Sequence, residues 1–375
     1  MRIAYVLTSV GMGGAERQAL TLAARMAGRG HGVHVVVLRR LPAEWHTALP
    51  VSHLDMRKTP ASAAAGLMRA RQLLRELRPD IVHSHSVHAN LFARALRVLA
   101  AGPALVSTVH NVYEGGRLRM LAYRWTDGLS DCTTVVSKAA AGRFLRLKAV
   151  SPQRCRAVAN AIEMAEFAPD AVRRAAARAA MGAGEDFVWL AAGRIVPAKD
   201  YPNLLRAFAR ARATVRRMRL WVAGEGHAGA EEALQRLAAE LEIADCVRWL
   251  GLRRDVPALL DAADGFVSSS AWEGMPLAVA EAMAMGKPVV GTEAGGVGEL
   301  VGQAGWPAPE RAGWVVPVRD AEALSAAMLG LVRAPAATRQ AMGCAARERI
   351  LTHFNMETRA AEWEQIYRSV LDPGT

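Results

Sequence analysis

Two glutamates eight residues apart, Glu273 and Glu281, lie in the segment Glu-Gly-Met-Pro-Leu-Ala-Val-Ala-Glu, whose second half has the pattern of an apolar helix. An isolated carboxylate inside such a helix costs several kcal/mol unless hydrogen-bond donors reach it. Two neighbouring hydroxyls of a ribose would supply two donors to the oxygens of Glu281. The alternative is a structural helix in which Glu281 meets a neighbouring arginine.

The residues after the first glutamate, Gly274, Met275, Pro276 and Leu277, are predicted to form the first turn of this helix. Backbone N–H groups in a first turn have no partner within the helix, so they suit an anion or sugar hydroxyls, although Pro276 supplies none. Glu273 either caps the helix or accepts hydrogen bonds from the hydroxyls of a sugar. A helix that binds an anion at its tip and a diol on its flank is suited to a nucleotide-sugar.

Glycines and cations follow predicted strands in the same half of the chain. Arg194 and Lys199 lie five residues apart on one such loop, where an arginine fork and a lysine point charge could hold a diphosphate. The alternative is a pair of solvated surface charges. Gly224 and Gly226 follow the next strand, and they either let the backbone approach a ligand closely or form a simple turn.

Three further loop positions are candidates for binding. Arg253, which follows a later strand, is assigned to the slot for a nucleotide base, and Asp255 is predicted to cap the next helix. Gly13 and Gly14 follow the first strand and open the first helix, where glycines allow N–H groups to approach a phosphate. A plain tight turn is the alternative at Gly13 and Gly14.

Histidines mark two strands of the N-terminal half. His110 ends a strand, and at that position it could hydrogen-bond a sugar hydroxyl or assist proton transfer, the alternative being a structural histidine. His83 and His85 alternate on another strand, but no third ligand is at hand. No Asp-x-Asp occurs, which removes the usual sign of a metal-chelated nucleotide-sugar. We therefore expect neither a metal nor another cofactor.

Composition indicates a folded protein of 375 residues and 52% apolar content, long enough for two sizeable domains. The apolar N-terminal run is predicted to be a first strand, because it is too short for a signal peptide. No apolar run approaches the roughly 20 residues that a membrane span needs. The four cysteines form no C-x-x-C pair, which favours reduced thiols in a cytoplasmic protein.

The net charge of +12 is unevenly distributed. Through Glu163 there are 23 Lys and Arg residues against 9 Asp and Glu, and from Met164 onward there are 24 against 26. The N-terminal half therefore carries the whole positive excess, which predicts an anionic partner: acidic lipid headgroups, a diphosphate-bearing substrate or nucleic acid. A solvated charged face is the alternative.

Strand-length apolar runs alternate with helical patterns along the whole chain, and the series restarts near Phe187. This alternation predicts an α/β protein with two parallel-sheet, Rossmann-like domains. Ligands bind at the carboxyl ends of the strands in such sheets. We predict an N-terminal domain over residues 1–163, completed by a C-terminal helix within 356–375, and a second domain over residues 164–355.

With Gly13, Gly14, His110, Arg194, Lys199, Glu273 and Glu281 in this order, the chain resembles the GT-B glycosyltransferases of family 4. The two glutamates flanking Gly-Met-Pro are the specific element, and the remaining motifs support it across nearly the whole length. The resemblance implies two domains that face each other across a cleft, with acceptor bound by the first and donor by the second. Asn160-Ala-Ile-Glu at the linker departs from the family's usual Asn-Gly-Val-Asp.

The resemblance also implies a role for each residue. Arg194 and Lys199 would hold the donor diphosphate, Glu281 the ribose, and Glu273 with the backbone of Gly274–Leu277 the donor sugar. His110 would lie near the reacting sugar, and Gly13 and Gly14 under the phosphates. Related bacterial enzymes build capsule, O-antigen or lipopolysaccharide.

The expected function is therefore a retaining, metal-independent glycosyltransferase that moves a sugar from a nucleotide-sugar, with UDP as the favoured nucleotide, to a lipid-linked or polysaccharide acceptor. Basic residues around Leu118–Trp125 favour a peripheral position at the inner face of the cytoplasmic membrane. A sugar-nucleotide epimerase or a phosphorylase on the same fold is the enzymatic alternative. A nucleic-acid-binding protein is a further alternative, but beyond Leu118–Trp125 the chain shows no aromatic-interleaved recognition module, and we expect no nucleic acid partner.

Overall fold

The structure is a computed structural model that describes residues 1–11, 13–42, 44–99, 102–302 and 311–372. It contains two compact units: unit 1 comprises Met1–Asn160 and Met356–Thr375, and unit 2 comprises Ala161–Asn355. The division falls at Asn160, three residues before the predicted boundary at Glu163.

Unit 1 is a seven-stranded sheet with the order β3-β2-β1-β4-β5-β6-β7, in which every paired strand is parallel. Its strands are β1 (Arg2–Leu7), β2 (Gly32–Val37), β3 (Val51–His53), β4 (Ile81–His85), β5 (Ala104–Val109), β6 (Cys132–Val135) and β7 (Cys155–Ala157). Its helices are α1 (Gly14–Gly28), α2 (Pro60–Leu77), α3 (Ser86–Leu99), α4 (Gly116–Thr126), α5 (Lys138–Arg146) and the C-terminal α14 (Met356–Leu371). The central strands are buried on both faces, which explains their continuous apolar runs.

Unit 2 repeats this topology with a six-stranded parallel sheet of order β10-β9-β8-β11-β12-β13. Its strands are β8 (Phe187–Ala192), β9 (Met218–Ala223), β10 (Val247–Trp249), β11 (Gly265–Ser268), β12 (Val289–Thr292) and β13 (Gly313–Val316). Its helices are α6 (Ala171–Ala180), α7 (Tyr201–Thr214), α8 (Ala230–Glu240), α9 (Val256–Ala262), α10 (Leu277–Ala284), α11 (Val297–Val301), α12 (Ala321–Arg333) and α13 (Ala336–His353). The two sheets confirm the predicted fold class.

The sequence analysis missed strand β3. It has only three residues, Val51–His53, which are partly exposed and pair with the edge of β2. A strand this short offers too few positions for an apolar alternation to be recognised. Of the helices that the structure describes, none has the length and apolar character needed to cross a membrane.

The terminal helix α14 closes unit 1 through a buried polar cluster. The Tyr367 hydroxyl lies 2.9 Å from the Tyr5 hydroxyl and 2.7 Å from His83 Nδ1. His83 Nε2 lies 2.7 Å from the hydroxyl of Thr108. Burial lowers the pKa of His83 well below its usual value, so this ring is neutral at physiological pH. Polar side chains from β1, β4, β5 and α14 thereby hydrogen-bond with one another inside the core.

We expect Tyr367→Phe to destabilise unit 1, because it leaves two buried polar atoms, the Tyr5 hydroxyl and His83 Nδ1, without this partner. The loss should be about 1–3 kcal/mol in the free energy of unfolding, measured with urea. Tyr113→Phe is the matched control, because Tyr113 is 48% exposed and its hydroxyl accepts a surface hydrogen bond from the Gly116 N–H. Equal losses in the two variants would contradict a structural role for the cluster.

Candidate functional site

The order of strands in unit 2 defines where a ligand site is to be sought. Chain order reverses between the neighbouring strands β8 and β11, so their following helices leave on opposite sides of the sheet. The loop after β8 carries Arg194 and Lys199, and the loop after β11 carries Glu273. The structure therefore places these three predicted residues at the switch point of the sheet, the usual ligand crevice of this architecture.

A salt bridge joins these two loops. Lys199 Nζ lies 2.6 Å from Glu273 Oε1, and the Ser270 hydroxyl donates to the same oxygen over 2.8 Å. The two charged side chains are only 22% and 12% exposed, so water screens the pair less than it screens a surface salt bridge. Arg194, in contrast, is exposed and has no ionic or hydrogen-bonded partner among the residues that the structure describes.

Two serines that were not selected as candidates from the sequence also position this site. The Ser269 hydroxyl donates to the Lys199 carbonyl oxygen over 2.7 Å, while Ser270 orients Glu273 as described above. Neither serine lies in a G-x-S-x-G motif, so the local sequence does not mark either one as a nucleophile. The signal that could have found them is their location directly after a buried strand and just before Glu273.

Close backbone contacts hold the neighbouring loops in place. A Cβ atom on Gly224 would lie 2.0 Å from the Gly193 carbonyl oxygen, so this position excludes any side chain. A Cβ atom on Gly226 would lie 2.8 Å from that of Ile195. Gly295 is equally restricted, because a Cβ atom there would lie 2.1 Å from the Glu273 carbonyl oxygen. The predicted glycines thus bring loop backbones together in this structure.

Helix α10 begins later than predicted. Its first helical residue is Leu277, and Pro276 occupies the N-cap position, so Gly274 and Met275 belong to the preceding loop. In the first turn of α10, the backbone N–H groups of Leu277, Ala278 and Val279 therefore have no carbonyl acceptor within the helix. The predicted burial of Glu281 is correct, since it is 6% exposed on α10.

Arg253 pairs with the aspartate two residues later in the chain. Its guanidinium forms two hydrogen bonds of 2.7 and 2.6 Å with the carboxylate of Asp255. Asp255 occupies the N-cap position of α9, but its side chain makes no capping hydrogen bond, because the carboxylate faces Arg253. The expected cap is wrong for this physical reason. Arg253 keeps donor atoms near the carboxyl end of β10.

The predicted residues of unit 1 lie on two loops of that unit. Gly13 is the N-cap of α1 and Gly14 is its first residue. A Cβ atom on Gly13 would lie 2.2 Å from Glu16 Oε2, so the Glu16 side chain folds back over this turn. His110 follows β5, and its Nε2 lies 3.0 Å from His85 Nδ1.

Two titratable groups near the end of β5 have displaced pKa values. Burial lowers the pKa of His110 to about 4, which keeps the ring neutral at physiological pH. Burial raises the pKa of Glu114 to about 7, although hydrogen bonds from the His110 N–H and the Tyr123 hydroxyl favour its ionised form. Displaced pKa values of this kind concentrate at functional sites. Within the described part of the chain, no group of three or more His, Cys, Asp or Glu side chains could hold a metal ion.

Comparisons with known proteins agree with this geometry. Residues 12–166 match the model of Glycosyltransferase Family 4, and residues 186–334 match that of Glycosyl transferases group 1. A D-inositol 3-phosphate glycosyltransferase of Saccharomonospora viridis is 31% identical over 315 residues, covering 76% of this chain and 69% of the relative. A UDP-Gal:alpha-D-GlcNAc-diphosphoundecaprenol alpha-1,3-galactosyltransferase of Escherichia coli is 26% identical over 315 residues. The match covers 80% of this chain and 78% of that relative.

Solved structures show the same fold. Anabaena HepE in complex with UDP-glucose superposes with a TM-score of 0.85 at 19% identity, covering 98% of this chain and all of that one. Sucrose-phosphate synthase from Thermosynechococcus elongatus gives the same TM-score at 21% identity and covers 100% of both chains. The relatives described above give no support to the epimerase alternative. The chain belongs to the family 4 glycosyltransferases, and it is a transferase with the GT-B fold.

Proposed function

We propose that this enzyme transfers a sugar from a UDP-sugar to a lipid-linked or polysaccharide acceptor, with retention of anomeric configuration and without a metal ion. The observation that carries the proposal is the Lys199–Glu273 salt bridge at the switch point of unit 2, followed by buried Glu281 on α10. The names of the Escherichia coli relative and the HepE complex support UDP as the nucleotide.

Each group at the switch point has a task in donor binding. Glu281, which is 6% exposed on α10, accepts hydrogen bonds from the two ribose hydroxyls through its carboxylate oxygens. Arg194 and Lys199 bind the diphosphate, and their charges stabilise it as it leaves. Glu273 accepts hydrogen bonds from the hydroxyls of the sugar, with N–H groups at the start of α10 nearby. Two cations take the place that a divalent metal would have in neutralising the diphosphate.

The proposed reaction occurs on one face of the donor sugar. The bond between the anomeric carbon and the diphosphate oxygen breaks while the acceptor oxygen bonds to the same carbon from the same side. The leaving diphosphate oxygen takes the proton of the acceptor hydroxyl, so the protein need not supply a general base. Neutral His110 hydrogen-bonds the reacting sugar.

Unit 1 is proposed to bind the acceptor, and its charge and surface suggest an anionic membrane. Leu118, Leu121 and Trp125 occur at helical spacing on α4, and they are 82%, 37% and 78% exposed. Arg117 and Arg124 are exposed beside them. An exposed apolar stripe flanked by arginines suits the interface of a bilayer with acidic headgroups. The enzyme would then act at the inner face of the cytoplasmic membrane.

The donor assignment is tested by titrating the protein with UDP-, GDP- and ADP-sugars and following the thermal shift. We expect the largest shift with a UDP-sugar, and at least tenfold weaker binding in Lys199→Ala, Glu281→Ala and the near-isosteric Glu281→Gln, because each loses a charged contact to the donor. Lys138→Ala is the control for Lys199→Ala, because Lys138 is exposed in unit 1. Wild-type affinity or turnover in the Lys199 or Glu281 variants would refute the assignment, and conversion of donor without acceptor would favour an epimerase.

Glu114 predicts a specific pH dependence of stability. Its folded pKa of about 7 exceeds the ordinary value of 4.5, so the folded state holds a proton that the unfolded chain releases. Its contribution to stability should therefore fall as pH rises from 4.5 to 7, by up to about 3 kcal/mol. Glu114→Gln removes this pH-dependent contribution to stability, because the glutamine side chain does not titrate.

The measurement is urea unfolding of the wild type and Glu114→Gln at pH 5 and pH 8. The buried histidines, whose lowered pKa values destabilise the fold at acidic pH, are present in both proteins, so the difference between the two isolates Glu114. We expect the variant to gain about 1–3 kcal/mol relative to the wild type on going from pH 5 to pH 8. Parallel pH profiles would show that the carboxyl group titrates normally.

The membrane assignment predicts that Leu118→Ser/Trp125→Ser weakens binding to phosphatidylglycerol vesicles severalfold, because it removes the apolar stripe of α4. Binding of the wild type should also decrease with added salt. Val172→Ser is the control, since Val172 is an equally exposed apolar residue, 80% exposed, on α6 of unit 2. Vesicle sedimentation gives the readout, and binding that is insensitive to both salt and the α4 substitutions would exclude this surface.

A further inference from the structure

Unit 1 contains a cavity of about 510 Å³ that the sugar-transfer reaction does not use. It opens between the C-terminal turns of α2 and α3, beside the first residues of β1, β4 and β5. It is therefore at the amino edge of the sheet, whereas His110 and the Gly13 loop follow the carboxyl ends of strands. The size falls in the range of small-molecule sites.

The walls of this cavity are aliphatic. They are formed by Leu74, Val82, Ala93, Leu96, Leu99 and Leu105. A second, much smaller void between α2 and α3 shares Leu74, Ala93 and Leu96 with it and continues towards Leu73 and Phe92. The apolar surface thus extends from the opening into the space between the two helices, which suits an alkyl chain better than a flat or branched molecule.

Arginines surround the opening. Those lining it are Arg2, Arg71, Arg75, Arg78 and Arg97. Arg2 pairs with Asp80, and Arg97 forms two hydrogen bonds with Asp131. Arg71, Arg75 and Arg78 have no ionic or hydrogen-bonded partner in the described part of the chain, and Arg71 Nε is also buried. An unpaired buried N–H costs about 1–3 kcal/mol, which an acceptor on a ligand would recover.

The charge balance at the opening is positive even when local compensation is included. Five guanidinium groups face the carboxylates of Asp80 and Asp131 and the C-terminal ends of α2 and α3, each helix end equivalent to about half a negative charge. About two positive charges remain without compensation. This excess is beside an aliphatic cavity, so the site combines an anion-binding rim with an apolar interior.

We propose that this cavity binds a single anionic amphiphile, an alkyl phosphate, with its chain against the aliphatic walls and its phosphate held by Arg71, Arg75 and Arg78. Among the described residues that line the cavity there is no aromatic side chain to stack on a nucleotide base and no carboxylate to accept from a base or a sugar. Guanidinium groups are well matched to phosphate oxygens. The site is independent of the proposed donor site in unit 2.

The test is a calorimetric titration of the whole protein with dodecyl phosphate below its critical micelle concentration. We expect saturable binding of one molecule, weakened at least tenfold in Arg75→Gln/Arg78→Gln. Arg39→Gln/Arg40→Gln is the matched control: it removes the same charge from exposed positions that follow β2 in the same unit, at the opposite edge of the sheet, and should change affinity less than twofold. Glutamine is used instead of glutamate, because a carboxylate would add negative charge at the C-terminal end of α2, where it is unfavourable.

Further ligands separate the headgroup from the chain. Octyl phosphate should bind more weakly than dodecyl phosphate, by up to roughly fourfold for each methylene that the cavity buries. Dodecyl maltoside, with a neutral headgroup, should bind at least tenfold more weakly and should not respond to Arg75→Gln/Arg78→Gln. Equal loss of affinity in the two double variants, equal binding of inorganic phosphate and dodecyl phosphate, or binding only above the micelle concentration would each overturn the proposal. All readouts are of binding, so they do not depend on the sugar-transfer function.

Discussion

The reversal of chain direction between β8 and β11 is the constraint on which the candidate donor site depends. Because the connections from these adjacent strands leave on opposite faces, a crevice forms at the sheet edge between them. The two following loops therefore approach each other there, and each contributes one half of the Lys199–Glu273 salt bridge. Close backbone contacts at Gly224 and Gly295 then hold the adjacent loops against them. The strand order brings the two loops together, and the side chains of Lys199 and Glu273 then form the site.

Much of this arrangement could be predicted from the sequence, because strand-end loops of a parallel sheet lie on one edge. The positions of Arg194, Lys199, Glu273 and Glu281 after or beside predicted strands were sufficient to assign them to one region. Their pairing was not predictable, because it requires knowledge that β8 and β11 are neighbours although some 70 residues separate their loops. The roles of Ser269 and Ser270 depend on the same adjacency. Non-local geometry, rather than local propensity, is the missing information.

The remaining errors have local causes. Asp255 was predicted to cap α9, but the guanidinium of Arg253, two residues away, makes a two-point contact with its carboxylate that replaces the capping hydrogen bond. Helix α10 begins at Leu277 because Pro276 adopts an extended ψ of 116°. In unit 1, the charge distribution along the sequence does not distinguish the basic residues near α2 from those of α4. The structure separates them: Arg71 and Arg75 of α2 and its C-cap residue Arg78 line a cavity, whereas α4 exposes an apolar stripe.

The hydrogen bond between Tyr5 and Tyr367 joins residues that are 362 positions apart in the chain, with all of unit 2 between them. During synthesis, the chain emerges from its N-terminus, so unit 2 is complete before the last helix of unit 1 exists. Until α14 arrives, the ring of His83 and the hydroxyl of Tyr5 lack their Tyr367 partner, and the apolar face against which α14 packs remains uncovered. Unit 1 therefore begins first on the ribosome and finishes last, and the interval in which it is most exposed to aggregation is set by the translation time of unit 2.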